Sequence, residues 1–319
     1  MLLPKTYSLL AATAANLLPS QNVYQFPDNG TWLENIAVRS NGDLLLTMLS
    51  PTPSLYTLKQ PYSSSPEISL IHTFPNATGL LGITETEDDT FAIISTQLID
   101  NSAPVLGSSA IWEVAFSGDT ASTRKIAGLP DLGLPNGATL AIPGAQAVLI
   151  ADCLGGTVTR CDTQTGETTT VLSVDETKGV ADVDDSLGIN GMHYQDGYLY
   201  WSNSALVSIF RISVDEDGNP VAGAEPELIG EIDALFVDDF ALDSSNTAWV
   251  ATNPSNTIVA LKSDGSSQVV VGGSDSSTVA GATSGAFGRT TKDSKKLYVT
   301  TRGVSEPAKV VAVDTSSFA

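Results

Sequence analysis

Two adjacent aspartates, Asp238 and Asp239, stand just before the apolar run TAWVAT in the stretch FVDDFALDSSNTAWVATN. A carboxylate at the mouth of a buried strand is costly unless it is paired or bound to a ligand. Glu34, Asn136 and Asn190 open other apolar runs in the same way. Carboxylate and amide oxygens suit Ca²⁺ and Mg²⁺, whereas neighbouring carboxylates without a cation raise each other's pKa. These residue types predict cation binding or acid–base chemistry.

The polar residues belong to a repeat. Each copy has an opening motif, an apolar strand, a polar turn, a strand ending in small residues, a loop and a third strand. Successive copies are 46 to 55 residues apart, and they start at Glu34, Leu81, Asn136, Asn190, Asp238 and Ser284. Repeats of this length with several strands each indicate a propeller.

A fourth, outer strand follows five of the six copies. The missing sixth is NVYQF, at residues 22–26, ahead of the first copy. We therefore predict an all-β fold, a six-bladed β-propeller whose ring is closed by an N-terminal outer strand on the C-terminal blade, leaving no free edge. Residues 22–319 would form this single domain, after an N-terminal segment 1–21. Two β-sandwiches are the alternative, and they do not account for the number of copies.

The innermost strands of a propeller line one channel, so the opening residues should form a ring. Loops after the second strands should add a second ring, with Asn253, Arg302 and Trp201 on it. An Arg near a pocket can donate several fixed hydrogen bonds to a carbonyl or carboxylate. Each residue also has a structural alternative: Asn and Asp cap turns, Arg302 could form a surface ion pair, and Trp201 could cover the core. His193 could be a base or a satisfied structural histidine.

The charge balance excludes some partners. The 319 residues carry a formal net charge of −21, with 15 Lys plus Arg against 36 Asp plus Glu. Such a field repels nucleic acid and anionic membranes, and no apolar run approaches the roughly 20 residues of a membrane span. A small-molecule ligand is the expected partner, and the oligomeric state stays open.

Two cysteines, Cys153 and Cys161, lie in a predicted hairpin whose register puts Cys161 opposite Leu149. That register separates the two residues by more than the about 7 Å between Cα atoms that a disulfide tolerates, so both thiols should be free. With His72 and His193 as the two histidines, no cluster has zinc-binding spacing.

The N-terminus, MLLPKTYSLLAATAANLLPS, resembles a weak signal peptide and equally suits a short helix packed on the domain. Glycosylation sequons at Asn29 and Asn76 are compatible with secretion. Secretion and an intracellular location stay equally open.

The opening motifs resemble those of the gluconolactonase-type six-bladed propellers over nearly the whole chain. The motifs that carry the resemblance are LENIAV, LPNGA, GINGM and VDDFALD. It implies a divalent cation, Ca²⁺ or Mg²⁺, held by Glu34, Asn190 and Asp238. It also implies that Asn136 contacts substrate or a metal-bound water.

Three positions depart from that family's pattern. Leu134 stands where sugar lactonases have Arg, Asp239 stands where they have Gly, and the second-blade residue Leu81 is apolar. These changes make the pocket less suited to a polyhydroxy lactone.

The strings NGTWLENIAVRSNGDLLLT, TGLLGI, LGINGM, VDDFALD and GAFGRT resemble a fungal branch of this fold more closely. That branch includes hetero-Diels-Alderases of tropolone–sesquiterpene (meroterpenoid) biosynthesis. The resemblance implies a pericyclase that joins an o-quinone methide to an alkene such as humulene, with no cofactor required for the pericyclic step.

A pericyclase needs an apolar pocket with a few polar groups. The expected catalytic residues are Asp238, Glu34 and Arg302. The expected substrate-binding residues are Asn136, Asn190, Asp239, Leu81, Met192, Trp201, Asn253 and Phe287. A cation-dependent lactonase and a non-catalytic binding propeller are the alternatives. Sensitivity to a chelator distinguishes the lactonase, and absence of turnover distinguishes the binding propeller.

Overall fold

The structure is a computed structural model that describes residues 17–303 and 305–318. In that part of the chain, 24 strands form six four-stranded antiparallel sheets, and two more strands form a small hairpin. A 3-10 turn, Asp175–Thr177, is the one helical element among the described residues. The all-β six-bladed propeller is confirmed.

We call the sheets blades 1 to 6, in the chain order of their innermost strands. The innermost strands are β2 (Trp32–Val38), β6 (Gly79–Glu87), β12 (Pro135–Leu140), β16 (Ile189–Gln195), β20 (Phe240–Leu242) and β24 (Ala282–Phe287). The second strands are β3 (Leu44–Ser50), β7 (Thr90–Thr96), β13 (Ala147–Asp152), β17 (Tyr198–Asn203), β21 (Ala248–Thr252) and β25 (Lys296–Thr301). The third strands are β4 (Ser54–Lys59), β10 (Ala110–Ser117), β14 (Thr157–Asp162), β18 (Ser208–Ser213), β22 (Thr257–Leu261) and β26 (Lys309–Asp314). The outer strands are β5 (Glu67–Thr73), β11 (Thr120–Gly128), β15 (Thr168–Leu172), β19 (Glu227–Glu231), β23 (Ser267–Gly272) and β1 (Ser20–Gln25), and the small hairpin is β8 (Leu98–Ile99) with β9 (Ala103–Pro104).

The strand nearest the N-terminus belongs to the last blade. β1 pairs antiparallel with β26 and takes the outer position of the sheet that also contains β25 and β24. The sequence predicted this strand at residues 22–26, two residues later than its observed start. Residues 1–16, where the signal-peptide or helix prediction falls, lie outside the described residues.

Burial follows the order of the strands. The second strands are almost wholly buried, as in β13 (AVLIAD), whereas outer strands such as β5 have exposed and half-buried residues. Apolar clusters fill the spaces between neighbouring blades; one of them joins Leu81 of blade 2 to Val148 and Ile150 of blade 3. These clusters hold the inner strands in fixed positions around the channel.

The opening motifs form β-bulges. In blade 1, Glu34 is bulged between Leu33, which faces Met48, and Asn35, which faces Thr47. The same shift occurs in blades 2, 3, 4 and 6. A bulge turns a side chain out of the regular alternation, and here it directs the opening residue toward the channel.

The pairing of β24 with β25 shows that the ring position of blade 6 lies one residue earlier than predicted. In blade 6 the bulged residue is Thr283, between Ala282 opposite Thr301 and Ser284 opposite Thr300. Ser284 was predicted for the ring, but it aligns with Asn35 in the next tier down the channel. The stretch GATSGA, at residues 281–286, has only small residues, so its pattern could not fix the position of the bulge.

The second tier contains three glycines where neighbouring inner strands nearly touch. A Cβ on Gly82 would lie 2.2 Å from the carbonyl oxygen of Asn136, and one on Gly137 would lie 2.1 Å from that of Asn190. A Cβ on Gly191 would lie 2.1 Å from Oδ1 of Asp239. Only a residue without a side chain fits at these approaches.

We expect Gly191→Ala to lower the free energy of unfolding by about 3 kcal/mol, because overpacked cores must displace backbone or buried side chains. The matched control is Gly128→Ala, whose Cβ would meet only Lys125 Nζ, at 3.8 Å; it should stay within about 0.5 kcal/mol of wild type. Denaturant unfolding of both variants measures the difference. Equal stability of the two variants would contradict the close approach.

Both cysteines are buried and free, as predicted. Cys161 faces Val148 rather than the predicted Leu149, because the hairpin turn takes one residue more. No helix in the described part of the chain is long and apolar enough to cross a bilayer.

Candidate active site

A cavity of about 490 Å³ opens where the inner strands begin. Its volume is within the usual range of small-molecule sites. Its lining residues are Trp32, Glu34, Leu49, Leu81, Leu98, Asn101, Ser102, Leu134, Asn136, Leu187, Asn190, Leu235, Phe236, Asp238, Asn253, Pro254 and Arg302.

A chain of hydrogen bonds forms the floor of this cavity. Asn136 Nδ2 donates to Glu34 Oε1 at 3.3 Å and to Asn190 Oδ1 at 3.0 Å. Asn190 Nδ2 donates to Asp238 Oδ1 at 3.2 Å and to Ser204 Oγ at 3.0 Å. We call Glu34, Asn136, Asn190 and Asp238 the polar ring. All four are buried, so the interior of the protein holds them in place.

Trp32 and Arg302 form one side of the cavity above the ring. The indole Nε1 of Trp32 donates to Glu34 Oε2 at 2.5 Å. The guanidinium carbon of Arg302 lies 5.2 Å from the centre of the Trp32 ring, a cation–π contact. Arg302 is half-buried. The structure shows no hydrogen bond from its guanidinium to another described residue, so its N–H groups can bind a ligand oxygen.

Both ring carboxyls hold their protons more tightly than usual. Burial, which disfavours the charged form, raises the pKa of Glu34 to about 7, although hydrogen bonds from Trp32 and Asn136 work in the opposite direction. The pKa of Asp238 is raised well above its usual range by burial, then by the charges of Glu34 and Asp239. The floor can therefore present neutral carboxyl groups, which donate hydrogen bonds, near neutral pH.

Asp239 lies below the ring and has a different role. Its Oδ2 accepts hydrogen bonds from Asn35 Nδ2 at 2.9 Å and Ser284 Oγ at 3.1 Å. Its Oδ1 lies 2.9 Å from His193 Nε2 and accepts the N–H of Phe240 at 2.8 Å. Burial works to raise the pKa of Asp239, but His193 and these hydrogen bonds together lower it. Asp239 is therefore an ionised structural centre linking blades 1, 4, 5 and 6.

The cavity brings together most of the residues expected from the sequence. These are Glu34, Leu81, Asn136, Asn190, Asp238, Asn253 and Arg302.

Four expected substrate-binding residues lie elsewhere. Met192 and Trp201 are core residues between blades 3 and 4, where Trp201 stacks on Phe210. Phe287 lies at the far end of β24 against Trp249, beside a second cavity of about 630 Å³. Asp239 is under the floor rather than in it. Met192 faces the core although it is two residues after Asn190, because the bulge breaks the alternation of side chains along β16.

Sequence reasoning missed Trp32 and most of the apolar lining. Trp32 is two residues before Glu34, and residues two apart in a strand share a face, so this signal was present in the sequence. Leu98, Leu187 and Leu235 come from loops or the β8–β9 hairpin, which lie outside the repeat. No periodicity identifies such positions.

The donor set of the ring suits a hard cation. Glu34, Asn190 and Asp238 offer carboxylate and amide oxygens, and a cation would relieve the repulsion between the two carboxylates. Among residues 17–303 and 305–318, no three His, Cys, Asp or Glu side chains are placed to hold a metal ion. A cation here would therefore depend on the amide oxygens, after their present hydrogen bonds rearranged.

Comparison with known proteins identifies the family. No protein-family model matches the chain. A protein of Phoma sp. named "Putative hetero-Diels-Alderase" is 33% identical over 321 aligned positions, covering 93% of this chain and 90% of the relative. The chain belongs to the hetero-Diels-Alderase family. A second relative, "Putative hetero-Diels-Alderase asR5" of Sarocladium schorii, is 30% identical and covers 96% of this chain and 86% of its own. The protein is thus an enzyme of the pericyclase type, as the sequence indicated.

Solved structures share the fold at low identity. A calcium-binding protein, regucalcin, from Agrobacterium tumefaciens has a TM-score of 0.63 at 14% identity, covering 93% of this chain and 95% of its own. A gluconolactonase from Xanthomonas campestris has a TM-score of 0.64 at 14% identity, covering 96% and 93%. These likenesses show the propeller fold and nothing about substrate.

Proposed function

We propose that this hetero-Diels-Alderase joins an o-quinone methide of the tropolone type to a sesquiterpene alkene such as humulene, in fungal meroterpenoid biosynthesis. The observation that carries the proposal is the composition of the cavity, in which a buried polar floor faces an apolar wall. The family supplies the reaction class, and the cavity suits one polar and one hydrocarbon reactant.

The cycloaddition moves no proton and needs no nucleophile. The heterodiene C=C–C=O and the alkene exchange two π bonds for one C–C and one C–O bond, giving a dihydropyran. Holding both reactants in contact supplies orientation and removes much of the entropic barrier. A hydrogen bond to the heterodiene oxygen makes the diene a better acceptor of electrons. Arg302 and the neutral form of Glu34, which both line the cavity, would donate it.

The same floor can generate the quinone methide from a hydroxymethyl precursor. A carboxyl group of Asp238 or Glu34 donates its proton to the leaving hydroxyl, and water departs. The ring hydroxyl of the precursor gives up its proton to the carboxylate so formed, which restores the acid. General acid–base assistance of this kind typically contributes about 10²–10⁴-fold. The apolar wall then limits addition of water to the quinone methide.

A divalent cation remains compatible with the floor. Glu34, Asn190 and Asp238 would hold it, and it would supply polarisation of a carbonyl oxygen when bound. The same donor set favours a cation-dependent lactonase as the second candidate function. The apolar side chains of Leu81 and Leu134, which line the cavity, make a sugar lactone a poor fit.

The direct test supplies a hydroxymethyl tropolone and humulene to the purified protein. Chromatography with mass spectrometry should detect an adduct whose mass equals the sum of the two reactants minus water. Its formation should exceed that in buffer alone and should yield one stereoisomer. Adduct at the background rate, together with hydrolysis of a lactone, would replace this proposal with the second candidate. No turnover of either substrate would indicate a non-catalytic binding propeller.

We expect adduct formation to survive treatment with EDTA followed by gel filtration. The expected activity stays within about twofold of the untreated enzyme, because donors on the chain can polarise the heterodiene without a metal. The control adds Ca²⁺ or Mg²⁺ back to the treated enzyme. Loss with EDTA and recovery with one of the ions would show that the cycloaddition depends on a cation.

A further inference from the structure

The cavity combines a polar floor with apolar side walls, and Leu187, Leu235, Phe236 and Pro254 line it beside blades 4 and 5. Apart from Leu81 and Thr283, its ring positions carry the polar side chains of Glu34, Asn136, Asn190 and Asp238. Four leucines close the blade 2 side, and we call them the leucine wall: Leu49, Leu81, Leu98 and Leu134. All four belong to one apolar cluster that continues into the core between blades 2 and 3. The wall is therefore preformed and rigid.

Leu81 interrupts the ring itself. It occupies the bulged position of blade 2, where the flanking blades place Glu34 and Asn136. Thr283, the blade 6 residue, turns its hydroxyl to the carbonyl of Leu33 at 2.8 Å. Leu81 is thus the one ring side chain without a polar group. The boundary between the floor and the wall passes through it.

The outer part of the wall comes from the β8–β9 hairpin. The backbone N–H of Leu98 donates to Thr78 Oγ1 at 2.6 Å, and Asn101 Nδ2 donates to Ser50 Oγ at 3.2 Å. These bonds tie the hairpin to blades 1 and 2. Leu98 is therefore held in place in the wall.

We propose that the leucine wall is the alkene subsite and that Leu81 sets the relative orientation of the two reactants; this inference rests on the proposed function. A sesquiterpene has no polar atom to satisfy the floor, and its burial against leucine is favourable in proportion to the apolar area removed from water. The oxygen of the heterodiene requires hydrogen-bond donors, which Arg302 and the neutral form of Glu34 supply. The two reactants then meet at Leu81, which lies between the ring positions of Glu34 and Asn136.

The test measures binding of each partner alone. Humulene binding is measured by its depletion from the headspace, and tropolone binding by calorimetry. Leu81→Asn puts into blade 2 the amide that blades 3 and 4 carry. We expect it to weaken humulene binding about tenfold or more, since a polar group replaces apolar contact, and to leave tropolone binding within about twofold. Leu228→Asn, on the exposed outer strand of blade 4, is the matched control and should change neither.

If Leu81→Asn does not fold, the same two binding measurements are made on Leu98→Asn, whose substitution lies on the β8–β9 hairpin. Wild-type binding of humulene in both variants, or equal loss of humulene and tropolone by a variant with a normal melting temperature, would overturn the subsite. The binding measurement needs no turnover. A wild-type enzyme that binds both partners yet forms no adduct would refute the proposed reaction while leaving the subsite in place.

Discussion

Replacing Glu34 by glutamine is expected to lower turnover of the hydroxymethyl tropolone and humulene by about 100-fold or more, the usual contribution of a positioned acid or base. The carboxyl of Glu34 is buried, hydrogen-bonded by Trp32 and Asn136, and part of the cavity lining. Glutamine keeps the size of the side chain but cannot donate a proton to a departing hydroxyl. Initial rates at saturating substrate should therefore fall, with KM changed much less.

The pH dependence of kcat tests the same role of Glu34. Burial raises the pKa of Glu34 to about 7, so the neutral acid predominates below that pH and is lost above it. Wild-type kcat should be level on the acidic side of about 7 and should decline as pH rises through it. Glu34→Gln should remove that decline, because the amide does not titrate.

The matched control for this substitution is Glu227→Gln. Glu227 lies on the outer strand of blade 4 and pairs with Arg211 far from the cavity. It should keep wild-type kcat and the wild-type pH profile. A Glu34→Gln enzyme that retained both would show that Asp238 alone supplies the acid.

The fold could be predicted because the repeat is a consequence of the architecture. Each blade has one strand that lines the channel and three strands outside it. The residue composition and the spacing of these strands therefore recur six times along the chain. The place of β1 followed from the same count, since five outer strands required a sixth. The N-terminal segment before it carries no copy of the repeat, and its pattern did not fix its structure.

The site could be predicted at the bulged positions of the inner strands, and at Asn253 and Arg302, which directly follow second strands. Glu34, Asn136 and Asn190 share the bulged position, Asp238 takes the corresponding place just before β20, and the four form one hydrogen-bonded ring. In the short motif GINGM, Met192 follows Asn190 by two residues yet points into the core, because the bulge breaks the alternation. Leu98 and Leu134 of the leucine wall lie on a hairpin and a loop, whose positions are set by tertiary contacts such as Asn101 to Ser50.

The aspartate pair of blade 5 shows how neighbouring residues take different roles. Asp238 is in the ring and its pKa is raised, whereas Asp239 accepts four hydrogen bonds and its pKa is lowered. The gluconolactonase pattern has glycine at position 239, and blades 2, 3 and 4 keep glycine in this tier. In blades 1, 5 and 6 the residues Asn35, Asp239 and Ser284 fill the space with a polar network instead.

Asp239→Ala is expected to lower the free energy of unfolding by about 3–5 kcal/mol, the usual result of removing one partner from a buried ionic network. Asn35 and Ser284 would each lose a buried acceptor, and His193, whose side chain is 33% exposed, would lose its carboxylate partner. Denaturant unfolding at pH 7 measures the loss. Asp88→Ala, at an exposed turn of blade 2, is the control and should stay within about 0.5 kcal/mol of wild type.

Two pH effects distinguish an ionised Asp239 from a side chain that only fills space. The folded-state pKa of Asp239 is lowered, so its contribution to stability is present above the unfolded-state pKa and is lost as pH falls through the folded-state value. The variant should therefore lose less stability on acidification than wild type does. The negative charge of Asp239 also raises the pKa of Glu34. Its removal should shift the alkaline decline of kcat to lower pH, and an unshifted decline in a folded variant would mean that Asp239 acts on the site only by packing.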